Sequence, residues 1–239
     1  RNEFIARTML RHRAVRKVLH IEPPIDLEQL NSRLHSDSLD DNVHMNLKRI
    51  NLYNDKGVFL YTPHILKKLS RDMQLESLHI QIEKVIDLCG INNILLWLYP
   101  PHPFADFALN FFKDRASLIA SDCVDDHRQY AKTEAERLLI ESRYKRIVGT
   151  SDIVFCVSKA MRDEMAQHNP HAFYIPNAIP SDLFTGQKTG SEPAGMAGVK
   201  HPIIGYTGAL SLRIDAELLR FVAESRPDWN IVLIGTSPN

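Results

Sequence analysis

The sequence is short of the features that mark several classes of protein. Its 239 residues include only three cysteines, at Cys89, Cys123 and Cys156, which form no disulfide framework. No apolar run approaches the roughly 20 residues of a membrane-spanning helix, and no signal-peptide pattern opens the chain. Basic and acidic residues balance at 29 each, so no charge excess favours nucleic acid. These absences predict buried free thiols and a cytoplasmic protein, and leave open peripheral membrane attachment through a local basic patch.

What the chain does contain is an alternation of apolar, strand-like runs with amphipathic helix patterns. The run at 94–98 is apolar without interruption, as a strand covered on both faces would be. This alternation predicts an α/β fold built on one parallel, doubly wound sheet. The strands expected to be neighbours in that sheet are 18–21, 58–61, 94–98, 118–121 and 153–157.

The remaining segments carry further expectations. Residues 1–12 have helical periodicity. Residues 25–56 are rich in Asp, Asn and Ser, and are expected to be loop and irregular structure. The segments 64–73 and 76–90 are expected to form two helices, the second of which closes at Gly90.

The segment 185–201 marks a predicted domain boundary. It is rich in Gly, Pro, Ser and Lys and lacks periodicity, which is typical of a linker. We therefore expect a first domain over 1–184 and the start of a second over 202–239. The chain begins within a helix pattern and stops directly after a strand pattern, so a piece of a longer protein is expected.

The segment 151–184 is the most informative in the chain. It has the pattern of a buried strand, a turn with Ser158, an amphipathic helix, a second strand and a Pro-Asn turn with Asn177. Open α/β sheets bind ligands at the edge where such turns lie. The stretches SDIVFCVS at 151–158 and YIPNAIPSDLF at 174–184 resemble the motifs ADxVxxVS and xxIPNGVDxxxF of group-1, family-4-like glycosyltransferases of the GT-B fold.

The resemblance covers most of the chain. Residues 201–236 are similar to the start of the family's second domain, and 94–107 and 117–130 to acceptor-domain segments of bacterial polysaccharide-type members. The resemblance implies two Rossmann-like, doubly wound parallel-sheet domains, here without the first strand and with the second domain truncated. It also implies transfer, with retention and without a required metal or resident cofactor, of a sugar from a nucleotide-diphosphate sugar to a glycan or lipid-linked acceptor hydroxyl. Such an enzyme would serve polysaccharide or cell-surface glycan biosynthesis.

Four polar residues gather after the strand pattern at 118–121, namely Asp122, Asp125, Asp126 and His127. A carboxylate there could act as general base on an acceptor hydroxyl, so Asp125 and Asp126 are predicted to be catalytic and the other two to line the cleft. In the family's THD-like turn, Asp125 takes the place of the His and Asp126 matches the Asp. The alternatives are turn and helix capping, or the metal site of a hydrolase, for which no second ligand motif is present.

Four further residues are assigned to the acceptor-side cleft. Tyr99 and His102 follow the run at 94–98, where the imidazole could contact an acceptor or titrate near neutral pH, or simply be exposed. Ser158 lies at the interdomain cleft in the family, and a serine there can also cap the helix that follows. Asn177 suits the tight geometry of its turn.

On the donor side, Gly208 lies in a strand-to-helix turn. A glycine lets the backbone approach a phosphate, and the next helix N-terminus offers free N–H groups, although an ordinary turn would also need a small residue. The basic residues of the family's loop are absent here, and Arg213 is the nearest substitute. Two rivals stay open. One is a GT-B-fold sugar-nucleotide epimerase. The other is a non-catalytic, degenerate GT-B domain, suggested by Ala178 and Ala209, which depart from the family pattern.

Overall fold

The computed structural model describes residues 2–34, 50–178, 194–211 and 214–236. The chain divides into two compact units, Arg1–Asn177 and Ala178–Asn239. The predicted border at 184/185 and most of the predicted linker fall outside the described residues. Within the described ranges, no helix combines the length and the apolar character needed to cross a membrane.

The first unit contains six helices and nine strands among its described residues. The helices are α1 (Asn2–Met9), α2 (Leu27–Leu34), α3 (Arg71–Cys89), α4 (Pro103–Phe112), α5 (Glu134–Thr150) and α6 (Lys159–Met165). The strands are β1 (Val18–Ile21), β2 (Ile25–Asp26), β3 (Tyr53–Asp55), β4 (Val58–Tyr61), β5 (His64–Ile65), β6 (Ile94–Leu98), β7 (Ala116–Cys123), β8 (Ile153–Cys156) and β9 (Ala172–Tyr174). The second unit contributes β10 (Ile203–Thr207), α7 (Ala216–Ser225) and β11 (Asn230–Ile234).

The strands form parallel sheets, as predicted, but not one sheet. Strands β6, β7, β8 and β9 form a four-stranded parallel sheet in that order. A second sheet has the order β1-β4-β3, with β1 and β4 parallel and β3 antiparallel. The single-sheet prediction is therefore wrong, because no described strand continues the hydrogen-bond ladder from β1 to β6. The two sheets nevertheless share a core, since Leu19 and Ile21 of β1 pack against the cluster that contains Leu96 and Leu98 of β6.

One face of the four-stranded sheet carries the helical layer. Side chains alternate between faces along a strand, so Leu96, Leu98 and Ile119 meet the buried residues of α3, α4 and α5. On the opposite face, Leu95 is 50% exposed and Phe173 is 49% exposed. Trp97 on that face is half-buried and lies near Ile5 and Met9 of α1. The expectation that 94–98 is covered on both faces is therefore met on one face and only in part on the other.

Helix α3 replaces the two helices predicted for 64–90. It begins after Ser70, whose hydroxyl accepts from the Met73 amide, and it ends at Gly90, whose φ of 58° is the left-handed cap that the sequence predicts. Residues 64–65 are strand β5 instead of helix. The Gln81 amide fixes this strand, since it donates to the His64 carbonyl at 2.8 Å and accepts from the His64 amide at 3.0 Å.

The polar segment 25–56 also has more structure than predicted. It contains β2, α2 and β3, while residues 35–49 lie outside the description. Strand β2 pairs with β5 and β3 pairs with β4. The β2–β5 pairing joins segments distant in the sequence, which a local polar composition does not reveal. Strands β3 and β4, in contrast, form a local hairpin through Lys56 and Gly57, both with positive φ.

The cysteines are buried and free, which confirms that prediction. Cys123 and Cys156 lie opposite each other on β7 and β8 and are fully buried. A hydrogen bond to Cys156, together with burial, raises the pKa of the Cys123 thiol.

Candidate functional site

The carboxyl ends of β6, β7 and β8 lie at one edge of the parallel sheet, where open α/β sheets bind ligands. Tyr99 and His102 follow β6, the residues from Asp122 to His127 end and follow β7, and Ser158 follows β8. The parallel order of the strands thus brings together most residues that the sequence assigned to the acceptor side.

The loop after β7 is held by a buried tyrosine on α5. Tyr144 is 1% exposed. Its hydroxyl donates to the Asp125 carbonyl at 2.5 Å and accepts from the His127 amide at 3.4 Å. Burial raises the pKa of the Tyr144 phenol, so it stays a proton donor at neutral pH. Tyr144 lies well outside the predicted motif, and sequence reasoning missed it.

The Asp126 carboxylate is engaged in a structural ion pair. Its Oδ1 accepts from the Arg128 backbone amide at 3.2 Å and from Arg128 Nε at 2.7 Å, and so caps the short 3₁₀ helix His127–Tyr130. Arg128 also bonds both carboxylate oxygens of Glu164 on α6. The hydrogen bond from Arg128 lowers the pKa of Asp126. A carboxylate stabilised in this way is a weaker base, which favours the capping alternative for Asp126.

The other two aspartates differ sharply in exposure. Asp122 is fully buried within β7, opposite Phe155 of β8, and has no accessible surface for a ligand. Asp125 is exposed beyond the end of the strand. Of the three carboxylates, Asp125 therefore combines accessibility with a backbone fixed by Tyr144.

His102 is the N-cap of α4. Its Nδ1 accepts from the Phe104 amide at 3.1 Å, and Pro103 occupies the first helical position, where a missing N–H costs nothing. The cap requires the neutral ring with its proton on Nε2. Although the residue stands at the surface, partial desolvation of the ring lowers the pKa of His102, and Arg143 and His127 lower it further.

The packing of α4 on α5 explains why Arg143 lies near His102. Arg146 of α5 donates from Nε to Asp106 of α4 at 2.8 Å. Both helices follow a parallel strand and run in the same direction. Arg143 lies about one helical turn before Arg146, and His102 lies about one turn before Asp106. The same packing therefore brings Arg143 near His102. Arg143 is therefore part of the candidate site, although no sequence motif marked it.

We expect the His102 ring to titrate below the ordinary value of 6.5, as followed by NMR. Arg143→Met should raise the pKa towards that value, because it removes a neighbouring positive charge. Lys145→Met is the control, since Lys145 pairs with Glu141 on the same helix. An equal change of the His102 pKa in both variants would contradict the proximity of Arg143 and His102.

The same shift has a consequence for stability. A histidine with a lowered pKa binds fewer protons in the folded state than in the unfolded state as the pH falls through 6.5. The stability that this lowered pKa contributes is therefore present above pH 6.5 and is lost as the pH falls below that value. His102→Asn keeps a capping side chain and removes the titration, so its thermal stability should fall less than that of the unaltered chain between pH 7.5 and 5.5.

The structure also places the remaining residues that the sequence assigned to the acceptor side. Ser158 caps α6, with its hydroxyl accepting from the Met161 amide at 3.2 Å. Tyr99 is half-buried, and Asn177 is exposed at the last position of the first unit. Within the described residues, no group of three His, Cys, Asp or Glu side chains is placed to hold a metal ion, so the hydrolase alternative finds no ligand set there.

In the second unit, Gly208 follows β10 in a backbone conformation with φ of 152° that favours glycine. Its carbonyl oxygen lies 1.7 Å from the place that a Cβ on Gly235 would occupy, so the loops after β10 and β11 touch through two glycines. Helix α7 begins after Asp215, whose carboxylate caps it by accepting from the Leu218 amide at 2.9 Å. A Cβ on Gly208 itself would lie 2.8 Å from Tyr206 Oη, so this contact and the backbone conformation give Gly208 a structural reason. Arg213 lies outside the described residues.

The comparisons with known proteins give a distant and partial similarity. No protein-family model matches the chain. A protein of Bacillus subtilis (strain 168) named "Putative teichuronic acid biosynthesis glycosyltransferase TuaH" is 22% identical over 107 residues. That match covers 43% of this chain and 27% of the relative, so the chain spans about a quarter of the length of the protein that it resembles. The chain is thus an α/β protein with parallel sheets and distant sequence similarity to a glycosyltransferase.

Proposed function

We propose that the chain is part of a GT-B glycosyltransferase that moves a sugar from a nucleotide-diphosphate sugar to a hydroxyl of a glycan or lipid-linked acceptor. The observation that carries the proposal is the gathering of His102, Asp125 and His127 at the carboxyl edge of a parallel sheet. The motif SDIVFCVS supplies the neighbouring strand and the Ser158 cap at that edge. The distant similarity to a glycosyltransferase supports the same reaction class.

In this proposal the first unit binds the acceptor. Asp125 takes the proton of the acceptor hydroxyl. The hydroxyl oxygen bonds to the anomeric carbon on the same face from which the nucleoside diphosphate leaves, so that the configuration is retained. His102 and His127 orient the acceptor. Asp126 acts through Arg128 to hold the loop, and Tyr144 fixes its backbone.

The second unit begins the donor side, where the loop at Gly208 would face the leaving diphosphate. Its stabilisation by positive groups and backbone N–H donors would supply much of the rate enhancement. The proposal also includes retention of configuration, no resident cofactor and a cytoplasmic location. It further includes peripheral contact with the membrane that holds a lipid-linked acceptor. These points rest on the motif resemblance.

The test is acceptor-dependent release of nucleoside diphosphate by the full-length protein from UDP-glucose, UDP-N-acetylglucosamine, UDP-glucuronate and GDP-mannose. We expect release with at least one donor when membrane-derived glycolipid is added. The 239-residue chain alone should show none, because it spans 27% of its relative and most donor contacts with the transition state would be absent.

Three outcomes would contradict the proposal. Interconversion of epimeric nucleotide sugars without transfer would identify the epimerase. The absence of nucleotide-sugar binding to the full-length protein would identify a non-catalytic domain. Robust transfer by the 239-residue chain would show that the donor side is misplaced.

A further inference from the structure

A cavity of about 420 Å³ lies at the carboxyl ends of β1 and β4, among residues that no motif marked. Its volume falls within the ~300–1,000 Å³ of small-molecule sites. It also lies where parallel strands end, which is the usual ligand edge of such sheets. The polar residues that line it are His20, Glu22, Asp26, Gln29, Thr62 and Lys67.

The first side of the wall is fixed by the β1–β4 pairing. The Glu22 amide donates to the Tyr61 carbonyl at 2.9 Å, which extends the ladder by one residue beyond β1. The Thr62 hydroxyl then donates to Glu22 Oε2 at 2.8 Å. Thr62 is 3% exposed, so this bond holds the carboxylate in one orientation at the cavity wall.

The second side is fixed by the β2–β5 pairing, in which Asp26 is opposite Ile65. Asp26 is 9% exposed, and its Oδ1 accepts from the Glu28 amide at 3.2 Å. Its Oδ2 is 3.9 Å from Lys67 Nζ. Two carboxylates and one ammonium group thus line the same cavity from different elements.

This set of groups selects among ligand classes. Two carboxylates against one ammonium disfavour a phosphate or another anion. Within the described part of the chain there is no three-residue ligand group for a metal ion. Hydroxyl groups both donate and accept, so they can bond to the carboxylates and also to Lys67 and the Gln29 amide. Pro23 and Ile65 supply apolar surface for C–H groups.

We propose that this cavity binds a neutral sugar residue of the glycan acceptor. The sugar hydroxyls donate to Glu22 and Asp26 and accept from Gln29 and Lys67. The identification of that sugar as part of an acceptor rests on the proposed function, whereas the binding of a neutral glycoside by the cavity does not. The site would extend acceptor recognition to the β1–β4 sheet.

The test is an NMR titration of the ¹⁵N-labelled 239-residue chain with the methyl glycosides of glucose, galactose, N-acetylglucosamine and glucuronic acid. At least one neutral glycoside should shift the amide signals of 22–29 and 62–67 at millimolar concentration. The double variant Gln29→Ala/Lys67→Ala should weaken that binding about tenfold or more, because two hydrogen bonds are lost and ~1.4 kcal/mol is tenfold.

The matched control is Glu28→Ala/Lys68→Ala. These neighbours form their own ion pair at 3.0 Å and do not line the cavity, so binding should be unchanged. The proposal is overturned if no neutral glycoside shifts these signals, if only the glucuronide does, or if both double variants bind equally. Failure of the glycosyltransferase proposal would instead appear as absent donor turnover with glycoside binding intact.

Discussion

Replacement of Asp125 by asparagine is expected to lower the turnover of the proposed glycosyltransferase by ~10²–10⁴-fold, the usual contribution of a general base. The melting temperature should stay within error of the unaltered protein. Asp125 is exposed, and the bond from Tyr144 goes to its backbone carbonyl and is independent of the side chain. Acceptor-dependent release of nucleoside diphosphate and a thermal melt measure the two quantities separately.

Asp126→Asn is the matched comparison one residue away. It weakens the ion pair with Arg128 and the cap of the 3₁₀ helix. We therefore expect a loss of about 1 kcal/mol in the free energy of unfolding, as for other caps, with a much smaller loss of rate. A normal rate for Asp125→Asn, or a larger rate loss for Asp126→Asn than for Asp125→Asn, would remove Asp125 from the role of base.

Replacement of Tyr144 by alanine should lower the free energy of unfolding by ~3–5 kcal/mol, the range for large aromatic residues in a core. Tyr144 is 1% exposed and packs in the cluster that contains Cys123, Val148 and Met161. Because domains have ~5–15 kcal/mol of stability, the variant should still fold. Chemical denaturation measures the loss, and Tyr174→Ala is the control because Tyr174 is 42% exposed.

Tyr144→Phe separates packing from hydrogen bonding. The ring remains, but the Asp125 carbonyl and the His127 amide lose their partner. A loss of ~1–3 kcal/mol is expected for such orphaned groups, together with a lower turnover because the loop that presents Asp125 is less restrained. Loss of stability without any loss of turnover would show that the loop does not need this restraint.

Regular elements with strong local signals were predictable from the sequence. The helical pattern within residues 1–12 and the apolar runs of β6, β7 and β8 appear as predicted, and so do the Gly90 and Ser158 caps. Each of these signals is local, since periodicity, capping and left-handed glycine turns are decided within a few residues. The gathering of polar residues at one edge followed from the parallel order of the strands.

Only the tertiary structure decided which of those polar residues are accessible and which are engaged. The sequence by itself determined the α/β alternation and the place of the aspartates after β7. It could not separate exposed Asp125 from Asp126, whose partner Arg128 also pairs with Glu164 of α6. The separation of the five strands predicted for one sheet into two sheets, and the cavity between Glu22 and Lys67, likewise arise from pairings between distant segments. A local sequence pattern does not reveal such pairings, because burial and ion pairing depend on residues that are neighbours in space.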